Sequence, residues 1–165
     1  DLYHARQLCQ MIEPFRIEFF EEPVTQNDVR QLSELRSQTT IRLACGQNEG
    51  QAYRFRDMMI AGAVDIIQPN VAITGGFTQC QKIAALANSF NISVDNGGAW
   101  PFFNQHLQAG LSNGGLVEYH YSSVEVCKRL YIGLPEPKQG WLTMTDAPGL
   151  GFELNTAALP HFEID

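Results

Sequence analysis

The chain has 165 residues, 44% of them hydrophobic and 18% charged, a composition ordinary for one globular domain with a sizeable core. Its net charge of -7 and its scattered Lys and Arg exclude the basic stripe that tracks nucleic-acid phosphates. No run approaches the roughly twenty apolar residues a membrane helix needs and no signal-peptide pattern opens the chain, so a cytoplasmic protein with no nucleic acid and no membrane as partner is expected.

Leu2, Ala5, Leu8, Cys9 and Ile12 fall on one stripe and predict a helix from the start. Asp1 is not an initiator Met, so a preceding segment is expected. Short apolar or β-branched runs then alternate with longer amphipathic ones, as in βα units on a parallel sheet. Strands are predicted at Arg16 to Phe20, Ile41 to Cys45, Val64 to Gln68, Ile92 to Val94 and Leu116 to Tyr119. Helices are predicted at Thr25 to Ser37, Gln51 to Ala61, Phe77 to Phe90 and Phe103 to Leu111, with Lys128 on a further helical segment. Pro- and Gly-rich text follows, at Leu134-Pro135-Glu136-Pro137 and Pro148-Gly149-Leu150-Gly151. Cys9, Cys45, Cys80 and Cys127 include no CxxC pair, so neither a zinc knuckle nor a disulfide framework is indicated.

A polar residue stands at the C-terminal end of each strand: Glu21, Gln47, Asn70, Asn96 and Glu118. Their near-constant step is one βα repeat, which in a barrel brings such side chains around one mouth. The fold class expected is α/β, the C-terminal part of a TIM-type (β/α) barrel with about five βα units plus a C-terminal tail. A closed barrel needs eight strands. Five leave two open edges, so the missing strands lie upstream of Asp1 or the fragment assembles with another copy. A homo-oligomer is the general expectation.

Phe20-Glu21-Glu22-Pro23, Cys45-Gly46-Gln47-Asn48, Gln68-Pro69-Asn70 and Gly75-Gly76-Phe77-Thr78 follow one another as E-E-P, G-Q, P-N and G-G. In this the chain resembles the mandelate racemase and muconate lactonizing branch of the enolase superfamily, and the Pro148 to Gly151 segment resembles that family's terminal stretch. The resemblance implies that an N-terminal capping domain and the first barrel strands are absent from residues 1–165. It also implies a Mg2+ ion held by acidic strand ends, which would chelate the carboxylate of a small carboxylate or hydroxy-acid substrate while a base removes the α-proton. Developing enediolate charge needs a divalent cation with hard oxygen ligands in a dry site.

Carried onto this chain, the resemblance makes Glu21 a metal ligand, the alternative being a strand-end carboxylate paired with an Arg, a description that also suits Glu22. Gln47 stands where the family has its next acidic ligand. It either coordinates through its amide oxygen, without bringing charge, or only hydrogen-bonds at a strand end; Glu49 would compensate if its loop bends inward. Asn70 occupies the place of an Asp that orients a catalytic His, and that His would fall at or near Gly97, in a segment with no His at all. The His-Asp dyad is therefore missing. Asp95 and Asn96 are left either to touch substrate or to form a tight turn. Glu118 is the candidate acid toward the substrate carboxylate or its enediolate, with His120 and Tyr121 as alternates. His106, expected near the start of a helix close to the mouth, either shuttles protons or is a surface or capping residue. Trp100 and Pro101 are expected to shape the pocket wall, and Lys82, Lys128 and Lys138 to be solvated charges. The family's Lys base and first metal ligand would lie upstream of Asp1. An acid-sugar or hydroxy-acid dehydratase is the expected activity, with a racemase or cycloisomerase as the alternative, and a non-catalytic binding or assembly module as the reading from another class.

Overall fold

The computed structural model describes residues 1–162. Five strands, β1 (Phe19–Glu21), β2 (Arg42–Cys45), β3 (Ile66–Ile67), β4 (Ser93–Asn96) and β5 (Gly114–Val117), pair in sequence order, all parallel. After helix α1 (Leu2–Ile12), each strand is followed by a helix: α2 (Val29–Arg36), α3 (Ala52–Ile60), α4 (Gly76–Ser89), α5 (Pro101–Ala109) and α6 (Tyr121–Leu130). This is the partial (β/α) barrel expected. Beyond α6, β6 (Tyr131–Ile132) and β7 (Glu153–Leu154) make an antiparallel pair that the sequence pattern did not indicate.

Alternation along the strands separates two faces. Leu43, Cys45, Ile67 and Val94 point to the helices and join Leu32, Leu35, Phe55, Met58, Ile83 and Ala87 in one buried cluster. By register, Glu21, Ala44, Ile66 and Ser93 share the opposite face. A smaller cluster of Phe102, Val124 and Cys127, with Tyr119, Tyr131 and Phe152 packed on it, ties the β6–β7 pair to α5 and α6. Its rings meet edge to face, Phe102 with Tyr119 at 5.9 Å and Tyr131 with Phe152 at 5.2 Å between centroids.

Local chemistry moves several boundaries. Pro14 sits in a 3-10 turn and Arg16 takes a left-handed conformation (φ 52°), so the first strand begins at Phe19 rather than Arg16. The helix expected from Thr25 starts only at Val29, because Gln26 (φ 58°) and Asn27 (φ 49°) turn left-handed and Asp28 caps α2 by accepting from Gln31 N at 2.9 Å. The last strand begins at Gly114, ahead of Leu116: glycine carries no periodicity, yet a side chain at Gly115 would strike the Asp95 carboxylate. Among the described residues no helix is long and apolar enough to cross a membrane.

Candidate active site at the strand ends

Glu21 closes β1 on the concave face, and its burial pushes the carboxyl above the usual carboxylate range. The Gln68 amide beside it works the other way, while the charges of Glu118 and Glu22 add to the rise. Glu21 and Glu118, far apart in sequence, thus share one electrostatic neighbourhood. Glu22 is turned aside by a left-handed backbone (φ 43°) and accepts from Asn27 Nδ2 at 3.0 Å and Gln47 Nε2 at 3.2 Å. With its nitrogen on Glu22, Gln47 keeps its oxygen as the end that could meet a cation. Glu49 does not supply the missing charge, because Arg54 holds it in an ion pair at 3.0 Å. Among the described residues no three His, Cys, Asp or Glu side chains converge as a metal cage. Glu21 and the Gln47 oxygen are hard donors that fit one side of a Mg2+ shell, not the whole of it.

The loop between β4 and α5 forms the adjoining rim. Gly98 (φ 76°), Ala99 (φ 70°) and Trp100 (φ 59°) are successively left-handed, a conformation costing about 1–3 kcal/mol at each non-glycine residue unless surrounding bonds impose it. Asn70 imposes it. Fully buried at the end of β3, it points Nδ2 at the carbonyls of Gly97, Gly98 and Ala99 at 2.8, 2.9 and 3.0 Å, and its Oδ1 accepts from Ala72 N at 2.9 Å. Asn104, equally buried, donates to the carbonyls of Ala99 and Trp100 and to Asn70 Oδ1. Glu118 Oε2 takes the Ala99 N–H at 2.8 Å.

The remaining candidates are engaged elsewhere. Asp95 is buried at the bulge between β4 and β5, where its Oδ1 accepts from Leu116 N at 2.8 Å. Burial pushes its carboxyl up, against the Leu116 bond and the Arg42 charge. Asn96 is buried as well, donating to Gly97 O at 2.8 Å and accepting from Glu118 N at 3.3 Å. His106 is not at the start of its helix but in the last turn of α5, with Nε2 3.0 Å from Leu150 O of the tail. His120 is exposed at the N-cap of α6, and Tyr121 beside it is 77% exposed. Pro101 opens α5 as its first residue, a position suited to a side chain without an N–H. Two residues of the rim escaped sequence reasoning, Gln68 and Asn104. Gln68 was detectable, since it lies two residues beyond Ile66 on the same strand face; Asn104 was not, because its partners Asn70 and Val71 lie in another βα unit.

Residues 1–158 match the family model described as the enolase C-terminal domain-like family. The chain belongs to this family. Its likeness to D-gluconate dehydratase of Thermoproteus tenax is 30% identity over 98% of this chain and 33% of that protein. A D-galactonate dehydratase family member of Enterococcus gallinarum is 26% identical over 96% of the chain and 41% of its own length. The enolase-family barrel is also superposable on solved structures. L-talarate dehydratase from Polaromonas sp. JS666, complexed with Mg and L-glucarate, matches with a TM-score of 0.88 at 26% identity, covering 97% of this chain and 43% of that one. A mandelate racemase/muconate lactonizing enzyme from a marine actinobacterium, in complex with magnesium, matches with a TM-score of 0.88 at 29% identity over 98% and 45% of the two chains. The chain thus spans less than half the length of these relatives.

Proposed function

We propose that the protein is a Mg2+-dependent dehydratase of a small hydroxy acid or acid sugar, acting by removal of the proton α to a carboxylate. Support comes from the likeness to a D-gluconate dehydratase and a D-galactonate dehydratase family member, and from relatives whose solved structures hold magnesium. The observation that carries the choice of reaction is the rim at Asn70 and Gly97. The Asn70 amide is committed to three backbone carbonyls, and a side chain at position 97 would meet Gln68 and Gln47. A His-Asp proton relay has no place there, which favours one-base elimination over two-base racemisation or cycloisomerisation.

In this reading Glu21 and the Gln47 oxygen hold the ion, and the ion when bound withdraws charge from the substrate carboxylate. Glu118, anchored by Ala99 N, presents its free oxygen toward the substrate carboxylate. Asn70 and Asn96 shape the rim, and the base and remaining acidic ligand are supplied from outside residues 1–165. The second reading, a barrel kept for binding or assembly, is favoured by the amides at Gln47 and Asn70 and by the absence of a His from the segment around Gly97. Calorimetry of Mg2+ with the full-length protein, followed by assay against a panel of sugar acids and hydroxy acids for keto-acid product, separates them. Binding with turnover is expected. No Mg2+ uptake even with a hydroxy acid present would remove the dehydratase reading.

A further inference from the structure

We propose that Asn70 is a positioning residue for Glu118: it grips the carbonyl of the Gly98–Ala99 peptide and so aims the N–H of that same peptide at the Glu118 carboxylate. This deepens the function proposed above and rests on Glu118 facing the substrate.

A peptide unit is planar and trans, so its carbonyl and its N–H point in opposite directions and cannot be set independently. The Gly98 carbonyl accepts from Asn70 Nδ2 at 2.9 Å, and the Ala99 N–H donates to Glu118 Oε2 at 2.8 Å. A single peptide plane therefore joins the buried amide after β3 to the carboxylate after β5. Its neighbours are pinned too. Asn70 Nδ2 reaches Gly97 O at 2.8 Å, and Ala99 O accepts from both Asn70 and Asn104, at 3.0 and 3.2 Å. Without these anchors the left-handed conformation at Ala99 and Trp100 has little to sustain it.

The Asn70 amide cannot turn over. Its Oδ1 accepts from Ala72 N at 2.9 Å and from Asn104 Nδ2 at 3.2 Å, so exchanging nitrogen and oxygen would set donors against donors and carbonyls against a carbonyl. Asn104 is fixed in turn, accepting from Val71 N at 3.0 Å and donating to Trp100 O at 3.0 Å. The main chain of Glu118 is held separately, its N–H donating to Asn96 O at 3.2 Å and Asn96 Oδ1 at 3.3 Å. Loss of the Asn70 donor thus leaves the Glu118 backbone in place and releases its carboxylate.

The test is a double-mutant cycle in the full-length protein: wild type, Asn70→Asp, Glu118→Ala and the double variant. All four are assayed at mildly alkaline pH, where the introduced carboxylate has no hydrogen to give, on the hydroxy acid that wild type turns over fastest. The expected fall in kcat for Asn70→Asp is roughly 100-fold with Glu118 present and no more than about twofold where Glu118 is already Ala. A crystal structure of Asn70→Asp should show the Glu118 carboxylate off Ala99 N with its own backbone unmoved. Equal losses in both backgrounds, or an intact bond from Ala99 N to Glu118, would make Asn70 structural only and overturn the inference. Should Asn70→Asp fail to fold, Asn104→Asp, which keeps an oxygen for Val71 N, goes through the same cycle with the same outcomes expected. If wild type turns over no hydroxy acid, the proposed function falls, and the variant's crystal structure alone decides the positioning role: a displaced Glu118 carboxylate supports it, an unmoved one refutes it.

Discussion

Asn70→Asp is the substitution that asks most of the rim, since it replaces the donor amide with a carboxyl while leaving the shape unchanged. In the wild type one NH2 group serves carbonyls at 2.8, 2.9 and 3.0 Å. An ionised carboxylate has no hydrogen to offer, so two hydrogen bonds vanish at about 1 kcal/mol each, and buried carbonyls left without a donor add about 1–3 kcal/mol. The expected destabilisation near neutral pH is about 3–5 kcal/mol, with the strained turn at Ala99 and Trp100 released first. The deficit depends on pH with a defined sign. Burial among carbonyls raises the introduced carboxyl's folded pKa above its unfolded value of about 3.9, so its contribution to stability is retained below that value and lost as pH rises through the folded pKa. A protonated carboxyl still donates one hydrogen bond, which limits the loss in acid to about 1–2 kcal/mol. Guanidinium unfolding of wild type and variant at two pH values, one acidic and one mildly alkaline, measures both quantities. A variant within about 0.5 kcal/mol of wild type at the alkaline pH, or a deficit that does not grow with pH, would refute the assignment of Asn70 as the donor that holds the loop.

Asp95→Asn should behave in the opposite way: the Asn oxygen still accepts from Leu116 N, and a carboxyl raised by burial is removed. Because the native Asp95 contribution is lost as pH rises through its folded pKa, the variant should match wild type in acid and equal or exceed it at neutral pH, read from urea midpoints. Gly46→Ala should cost about 2–4 kcal/mol, since Gly46 has φ 119° and an added Cβ would sit 2.5 Å from Phe55 Cε1; an unchanged unfolding midpoint would contradict the packing described for α3 on β2. All four cysteines are buried, and burial with nearby negative charge pushes the Cys45 thiol up to about 12, so the folded protein should resist thiol labelling at mildly alkaline pH and react fully in denaturant.

The βα rhythm was legible because strand and helix leave different periods in the sequence, and because each strand ends in a polar residue. Glu21, Gln47, Asn70, Asn96 and Glu118 were all found by that rule, and the four spaced motifs pointed to the family. What each residue does was another matter. Asp95 and Asn96 are buried and bonded to the backbone, and His106 is turned to the tail at Leu150. Boundaries failed where one residue's conformation overrode the pattern, at Arg16, at Gln26 and Asn27, and at the glycines that open β5.

Periodicity and turn chemistry are local, so the amino-acid sequence by itself determined the order of strands and helices, the face each strand buries, and which polar residues gather at one end of the sheet. The partnerships among those residues belong to the tertiary structure. The Asn70 amide meets carbonyls 27 to 29 residues away, and Glu118 meets Ala99 N across 19 residues. Whether an amide presents its nitrogen or its oxygen, and whether a carboxyl is spent on the backbone or left free, is decided by groups that only the folded sheet brings within hydrogen-bonding distance.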